Sequence, residues 1–141
     1  MKLIIKKATL EALDMLAEMN KQLIEDEQHD NTMSLDELKN RMKDLIRNDY
    51  EAYLFLSEEV IKGYALVNPI RNPVYLRQFF ICRDSRGMGL GKTYFQLLLE
   101  ELKITKLDVE VMYWNETGYQ FWKAVGFKER SVYLRLQKEE N

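Results

Sequence analysis

The sequence has very little of the chemistry that proteins use for metal sites and covalent cross-links. Its 141 residues include one cysteine, Cys82, and one histidine, His29. A disulfide within the chain needs two cysteines, and a structural zinc site needs several clustered Cys or His ligands. We therefore predict a chain with no internal disulfide and no structural metal.

The sequence also lacks a long apolar run and a strong excess of charge. No stretch reaches the ~20 apolar residues of a membrane-spanning helix, and residues 1–7 have no signal-peptide pattern. The net charge is −2, which gives no positive excess for neutralising nucleic-acid phosphates. We expect a cytoplasmic protein that binds a small molecule rather than a membrane or a nucleic acid.

What is present is the composition of a folded domain, with 46% hydrophobic and 31% charged residues. This balance is typical of soluble globular proteins, and the length suits one domain with a substantial core. No repeat, low-complexity tract or linker interrupts the chain. We predict a single domain over residues 1–141.

Apolar residues at helical spacing predict two helices in the first third of the chain, after a short strand over residues 3–7. Thr9 is the expected N-cap of the first helix. Its apolar stripe consists of Leu10, Leu13, Leu16, Ala17, Leu23 and Ile24. The second helix begins at Ser34, which forms a capping box with Glu37.

The rest of the chain alternates between strand and helix patterns. Three β-rich runs, residues 53–56, 60–67 and 74–81, predict consecutive strands of a meander. A helix over residues 89–102, a strand over 107–113 and a short helix over 116–124 follow, and the alternation of Val132, Leu134 and Leu136 predicts a final strand. The order β-α-α-β-β-β-α-β-α-β indicates an α+β fold around a mixed, mainly antiparallel sheet flanked by helices.

A glycine-rich loop joins the 74–81 strand to the helix that follows. Its sequence is Arg86-Gly87-Met88-Gly89-Leu90-Gly91-Lys92. Exposed backbone N–H groups at a helix start bind anions, and glycines let a ligand approach the backbone closely. A Walker A loop would need glycine where Arg86 stands, and a dinucleotide fingerprint would need glycine where Lys92 stands. Both of these alternatives fail on spacing.

The loop matches the pattern [RQ]-x-x-G-x-[GA], and here the sequence resembles the GNAT superfamily of N-acetyltransferases. A second segment agrees: Asn115 precedes Phe121-Trp122-Lys123-Ala124-Val125-Gly126-Phe127, which is similar to the family pattern N-x-x-A-x-x-F-Y-x-x-x-G-F. The resemblance covers nearly the whole chain. It implies a GNAT fold in which the fourth and fifth strands separate to admit the pantetheine arm of acetyl-coenzyme A.

The resemblance also implies which residues bind that cosubstrate. Pantetheine amides would pair with the strand backbone, Asn115 would hydrogen-bond the pantetheine chain, and the loop would hold the pyrophosphate with charge from Arg86 or Lys92. The positions implied are Phe79, Phe80, Ile81, Arg86, Gly87, Met88, Gly89, Leu90, Gly91, Lys92, Asn115 and Trp122. Trp122 departs from the family, which usually has there a tyrosine that protonates the leaving thiolate. Tyr119, one helical turn earlier, is our candidate for that acid.

The acceptor side needs a base, because an amine is protonated at neutral pH. Glu110 lies five residues before Asn115, an offset at which several family members carry their general base, so it is our first candidate. The acidic run at residues 25–30, which includes His29 as a further titratable group, favours a cationic acceptor if it lines the acceptor site. The alternative is a solvated surface loop.

These features together predict direct transfer of an acetyl group from acetyl-CoA to a primary amine, either a small molecule or a lysine or N-terminal amine. Cys82 ends a strand and is expected to be a small, buried or half-buried residue, which argues against a thiolate intermediate. A non-catalytic acetyl-CoA-binding module of the same fold is the alternative function. Exposed strand edges make a homodimer reasonable.

Overall fold

A five-stranded sheet organises residues 2–139, which are the residues that the computed structural model describes. The strands pair in the order β1-β2-β3-β4-β5, antiparallel except for the parallel β4–β5 pair. This confirms the predicted α+β class with a mixed, mainly antiparallel sheet. The elements are β1 (Leu3–Lys7), α1 (Leu13–Asp26), α2 (Leu35–Arg47), β2 (Glu51–Ser57), β3 (Val60–Asn68), β4 (Val74–Ile81), α3 (Leu90–Leu102), β5 (Leu107–Val109) and α4 (Glu116–Ala124).

The second helix begins where its capping box predicts, whereas the first begins one turn after its expected N-cap. The Thr9 hydroxyl accepts a hydrogen bond from the Glu11 N–H at 3.3 Å and caps a short 3₁₀ turn that leads into α1. Ser34 and Glu37 cap each other's backbone N–H groups at the start of α2, at 3.2 Å and 3.0 Å. No helix among residues 2–139 is long and apolar enough to cross a membrane.

Each face of the sheet is covered by two helices. We call the face under α1 and α2 the α1 face; its core includes Leu16, Tyr64 and Phe80. The opposite face, under α3 and α4, is the α3 face, where Phe55 stacks on Tyr94 with ring centroids 4.8 Å apart. Alternate residues of each strand therefore belong to different cores.

The pairing of β3 with β4 contains one irregularity. Leu66 lies opposite Gln78, but the next residue, Val67, lies opposite Leu76. Arg77 is therefore an extra residue on β4, which makes a β-bulge. Leu76 packs in the core of the α3 face, whereas Gln78 lies opposite Leu66 and so faces the α1 side.

β4 and β5 are paired over only part of their length. The paired residues are Val74 with Leu107, Tyr75 with Asp108 and Leu76 with Val109. Beyond Leu76, β4 continues to Ile81 with β3 on one side and, within residues 2–139, no strand on the other. We call this space the β4–β5 opening. The strand predicted over residues 107–113 therefore ends at Val109, because the later residues have left the neighbour that would accept their backbone hydrogen bonds.

The final strand predicted around Val132, Leu134 and Leu136 is wrong. These side chains and Tyr133 are between 78% and 85% exposed, and residues 128–139 form no strand. The alternation of apolar residues is real, but a strand also needs a neighbouring strand to pair its backbone groups. No strand within residues 2–139 lies beside this segment. The observed order therefore ends at α4.

Candidate active site

The glycine loop adopts a backbone that only glycine takes without strain. Gly87 and Gly89 have φ of 80° and 73°, and Gly89 immediately precedes the first residue of α3. A Cβ at either position would meet no heavy atom within 4 Å, so the space in front of the loop is open. Because the first N–H groups of a helix have no partner within it, this open concavity is suited to an anion.

Arg86 is held by the protein around the loop. Its Nε donates to the Ile81 carbonyl at 2.9 Å, and its guanidinium lies 5.3 Å from the centroid of the Phe80 ring. A terminal nitrogen donates to the Asp26 carboxylate at 2.5 Å. Arg86 therefore ties the loop to the end of β4 and to α1. Lys92 is exposed and forms no ion pair with a described residue, so its charge remains for a ligand.

The Asp26 carboxylate also forms an ion pair with a second arginine. Arg83 donates to its carboxylate at 2.7 Å and 3.0 Å, and also to Glu25 at 3.2 Å. Burial alone would raise the pKa of Asp26, but the hydrogen bonds and charges of Arg83 and Arg86 outweigh it and lower that pKa below its usual value. The two carboxylates at the end of α1 are thus neutralised by the segment that precedes the glycine loop.

The predicted cosubstrate strand lies beside the β4–β5 opening. Phe79 and Ile81 face the α3 side and Phe80 faces the α1 side. Because β4 and β5 separate after Leu76, the backbone groups of these three residues toward the opening have no neighbouring strand in the described part of the chain. The opening therefore provides unpaired backbone that leads directly to the glycine loop.

The comparisons with known proteins agree with this geometry. A sequence model described as the acetyltransferase (GNAT) family matches residues 13–127. The chain belongs to the GNAT acetyltransferase family. No curated protein sequence matches it significantly.

Solved GNAT structures share the fold at low sequence identity. A protein from Clostridium difficile 630 described as a possible acetyltransferase has a TM-score of 0.77 at 14% identity, over 99% of both chains. An acetyltransferase predicted for Clostridium acetobutylicum and solved with acetyl-CoA has 0.74 at 19%, over 96% of both. PaiA N-acetyltransferase from Thermoplasma acidophilum, in complex with coenzyme A, has 0.74 at 19%, over 94% of this chain and 93% of its own.

Trp122, at the position of the usual GNAT tyrosine, is part of an aromatic cluster on the α3 face. Its ring lies 5.4 Å from Phe79, 5.6 Å from Phe95 and 5.2 Å from Phe127, measured between centroids and in edge-to-face arrangements. Phe121 stacks on Phe79 at 5.7 Å. These contacts fix α4 against β4 and α3, so Trp122 contributes a packed wall beside the opening.

Asn115 caps α4. Its Oδ1 accepts the Gly118 N–H at 3.0 Å, and a Cβ at residue 118 would lie 2.5 Å from its Nδ2. The GNAT pattern has alanine at this position. The glycine at 118 leaves the space that the Asn115 side chain occupies in this cap. Nδ2 has no hydrogen-bond partner among the described residues and remains for the predicted pantetheine contact.

The Tyr119 hydroxyl is engaged on the surface of α4. It donates to Glu129 at 3.1 Å, and Glu129 also pairs with Lys123 at 2.8 Å. The hydrogen bond to Glu129 is the main cause that raises the pKa of Tyr119 above its usual value. The candidate acid is thus placed in a polar group formed by α4 and the segment after it.

Glu110 follows the last residue of β5 and is exposed. Burial raises the pKa of Tyr75, and the charge of Glu110 raises it further. Glu110 directly follows Val109, which is paired with Leu76 at the point where the opening begins. The first candidate base is placed at the water-exposed edge of the opening.

One carboxylate of the acidic run differs from its neighbours. Glu27 is half-buried, and the Trp114 indole donates to its backbone carbonyl at 2.9 Å. Burial raises the pKa of Glu27 to about 6, and the charge of Asp26 adds to the increase. The sequence places Glu27 among six polar residues and gives no local signal that distinguishes it. In the same run, the Nδ1 of His29 accepts the Asn31 N–H at 3.1 Å, which uses one ring nitrogen locally.

Proposed function

We propose that this GNAT protein transfers the acetyl group of acetyl-CoA directly to a primary amine. The observation that carries the proposal is the β4–β5 opening, whose unpaired β4 backbone ends at an open glycine loop at the start of α3. One end of this path suits an extended amide-bearing chain and the other suits a phosphate anion. The two relatives solved with acetyl-CoA and with coenzyme A support this choice of ligand.

The residues present suit the cosubstrate. The N–H groups of residues 87–92 would hold the pyrophosphate with Lys92 as the nearby cation, the β4 backbone from Phe79 to Ile81 would pair with pantetheine amides, and Asn115 would donate from Nδ2. When bound, acetyl-CoA supplies an activated thioester. The protein's own part is to hold that thioester in the opening and to bring an unprotonated amine to it.

Deprotonating the amine is the larger chemical task. An amine with a pKa near ~10 has about one molecule in a thousand unprotonated at pH 7, equivalent to ~4 kcal/mol. The acceptor reaches the opening from the α1 face, because the aromatic cluster around Trp122 fills the α3 face. Glu110, the base candidate that the sequence provides, borders the opening on that side.

The departing thiolate needs less help. A thiol with a pKa near ~8.5 leaves without full protonation, and water completes the step. The Tyr119 hydroxyl donates to Glu129, and an indole N–H cannot deliver its proton at physiological pH. We therefore assign the final protonation to solvent.

The deciding experiment measures thiol release from acetyl-CoA against a panel of primary amines, with the affinity for acetyl-CoA measured separately by calorimetry. The panel contains polyamines, aminoglycosides, amino acids and peptides with free N-termini or lysines. Turnover of an amine above the rate without acceptor supports the proposal. Tight binding without turnover of any amine would show instead a non-catalytic acetyl-CoA-binding module, and the absence of binding would reject both functions.

A further inference from the structure

The carboxylates at the end of α1 fall into two groups. Glu25 and Asp26 pair with Arg83, and Asp26 also pairs with Arg86. Asp30 lies 3.8 Å from Arg135. Within residues 2–139, the Glu27 carboxylate forms no ion pair and no hydrogen bond. The acidic run is thus largely neutralised by arginines, and one inward-lying carboxylate is left without a partner.

Glu27 lies on the side of α1 that packs against the sheet. Leu16, Asn20 and Leu23 precede it at helical spacing and are buried. Burial raises the pKa of Tyr64 well above its usual value, and the charge of Glu27 raises it further. The Tyr64 hydroxyl on which this charge acts donates to Gln78 at 2.7 Å. Asp26, the residue before Glu27, is bound by Arg86 beyond the end of β4, and the Glu27 carbonyl is bound by Trp114 beyond the end of β5. Glu27 therefore lies beside the opening between these two strands.

Trp114 reaches the end of α1 from the β5 side of the opening. It follows β5, and its indole donates to the backbone carbonyl of Glu27. This bond holds the main chain at the end of α1, so it does not depend on the Glu27 side chain. The half-buried Glu27 carboxylate is partly desolvated, and partial desolvation favours the uptake of a proton.

We propose that the Glu27 carboxylate is the base that removes a proton from the acceptor's ammonium group, an assignment that rests on the proposed acetyl transfer. One ammonium proton passes to Glu27. The nitrogen lone pair then forms the C–N bond to the acetyl carbonyl carbon, the C–S bond breaks, and the thiolate leaves with the electron pair. The second nitrogen proton goes to solvent or to the thiolate, and Glu27 returns its proton to water.

Glu27 suits this step better than Glu110. A base with a pKa near the working pH combines a large ionised fraction with a useful affinity for the proton, and the pKa of Glu27 is raised to about 6. Glu110 is exposed to water at the outer edge. Two titratable groups are linked to Glu27 by charge, Asp26 on α1 and Tyr64 on β3. Three arginines act on these two groups: Arg83 and Arg86 on Asp26, and Arg41 of α2 on Tyr64.

The test compares Glu27→Gln with Glu25→Gln, a matched change two residues earlier at an exposed site. An amine that the native protein acetylates is used, and kcat, KM and the affinity for acetyl-CoA are measured from pH 5.5 to 8.5. Glu27→Gln is expected to lower kcat by ~10²-fold or more at pH 7 and to remove the acid limb centred near pH 6, with unchanged acetyl-CoA affinity. Glu25→Gln is expected to retain the native dependence of kcat on pH.

Three results overturn the assignment. Glu27→Gln activity within threefold of native across the pH range rejects Glu27 as the base. A large loss in Glu110→Gln with none in Glu27→Gln assigns the role to Glu110. If the native protein binds acetyl-CoA but acetylates no amine, the proposed function itself is rejected. This outcome can be told from the first two because the native protein is then inactive. Circular dichroism of each variant shows whether it is folded.

Discussion

The Asp26 carboxylate, at the last residue of α1, accepts a hydrogen bond at 2.5 Å from the Arg86 guanidinium, at the first residue of the glycine loop. Sixty positions separate the two residues along the chain. Arg86 also donates to the Ile81 carbonyl, so this single side chain joins α1, β4 and the loop. Helix α1 and the proposed phosphate cradle are thereby connected through one side chain.

Asp26→Asn is expected to reduce thermal stability at neutral pH. The amide loses the charge that Arg83 and Arg86 contact, and the expected decrease in Tm is about 3 °C, as for ~1 kcal/mol in a domain of this size. The pKa of Asp26 is lowered in the folded chain, so its contribution is complete above the unfolded pKa and is lost as pH falls through the folded pKa. Thermal denaturation should show a gap between native and variant at pH 7 that narrows toward pH 3. Glu25→Gln, which removes only a contact with Arg83, should have a smaller effect, and a gap that does not change with pH would contradict this account.

Gly89→Val is expected to abolish measurable acetyl-CoA binding. A branched side chain at φ 73° strains the backbone and occupies the open space in front of the loop. Gly126→Val is the matched control, because Gly126 has φ of 109° and open space beside it but lies after α4, outside the loop. Calorimetry below the Tm of both variants should show native-like affinity for Gly126→Val only. Equal affinities would mean that the loop does not hold the cosubstrate.

Tyr119→Phe is expected to change kcat by less than about threefold, because its hydroxyl donates to Glu129 and water completes thiol protonation. Steady-state kinetics on one acceptor amine, with Trp122→Tyr measured in parallel, check this. A ~10²-fold loss of kcat with the disappearance of a basic limb would identify Tyr119 as the acid. A faster Trp122→Tyr variant would show that acid catalysis limits the native rate.

Glu27→Gln is expected to gain stability relative to the native protein as pH rises from about 4.5 to 6. The folded chain holds the Glu27 proton more tightly than the unfolded chain, since its pKa is raised to about 6. Native stability therefore falls as pH increases through this window, while a glutamine does not titrate. Glu27 retains some contact with water, so the relative gain should be at most about 1 kcal/mol. Denaturant unfolding at pH 4.5, 6 and 7.5 measures it, and a constant difference would indicate an ordinary pKa.

Local patterns in the sequence predict most of the elements, because each depends on neighbours within a few residues. The stripe that includes Leu13 and Leu16, the capping box at Ser34 and the glycines before α3 are of this kind. The segment around Leu134 shows the limit of such patterns. Its apolar alternation can be read from neighbouring residues, but whether another strand lies beside it depends on distant parts of the chain. The partners of Asp26, Arg83 and Arg86, lie 57 and 60 positions away.

Glu27 illustrates the same limit within the candidate site. In the sequence it is one acid in a polar run. Its backbone carbonyl accepts a hydrogen bond from Trp114, 87 positions later, and the effect of its charge on Tyr64 depends on how α1 packs against β3. The motif predicts a cosubstrate-binding loop because the residues of that loop are contiguous. The proposed acceptor side is built from separate segments, so proposing it required the folded structure.

The extra residue at Arg77 makes β4 unequally sensitive to changes in its length. Arg77 is exposed, so many side chains should be tolerated there. Its neighbours Leu76 and Gln78 already face opposite sides of the sheet, so deleting Arg77 would restore strict alternation and keep Phe80 under α1. A residue inserted after Gln78 would instead move Phe80 under α3. Among descendants of this sequence, loss of position 77 should therefore be tolerated more readily than an insertion beyond it.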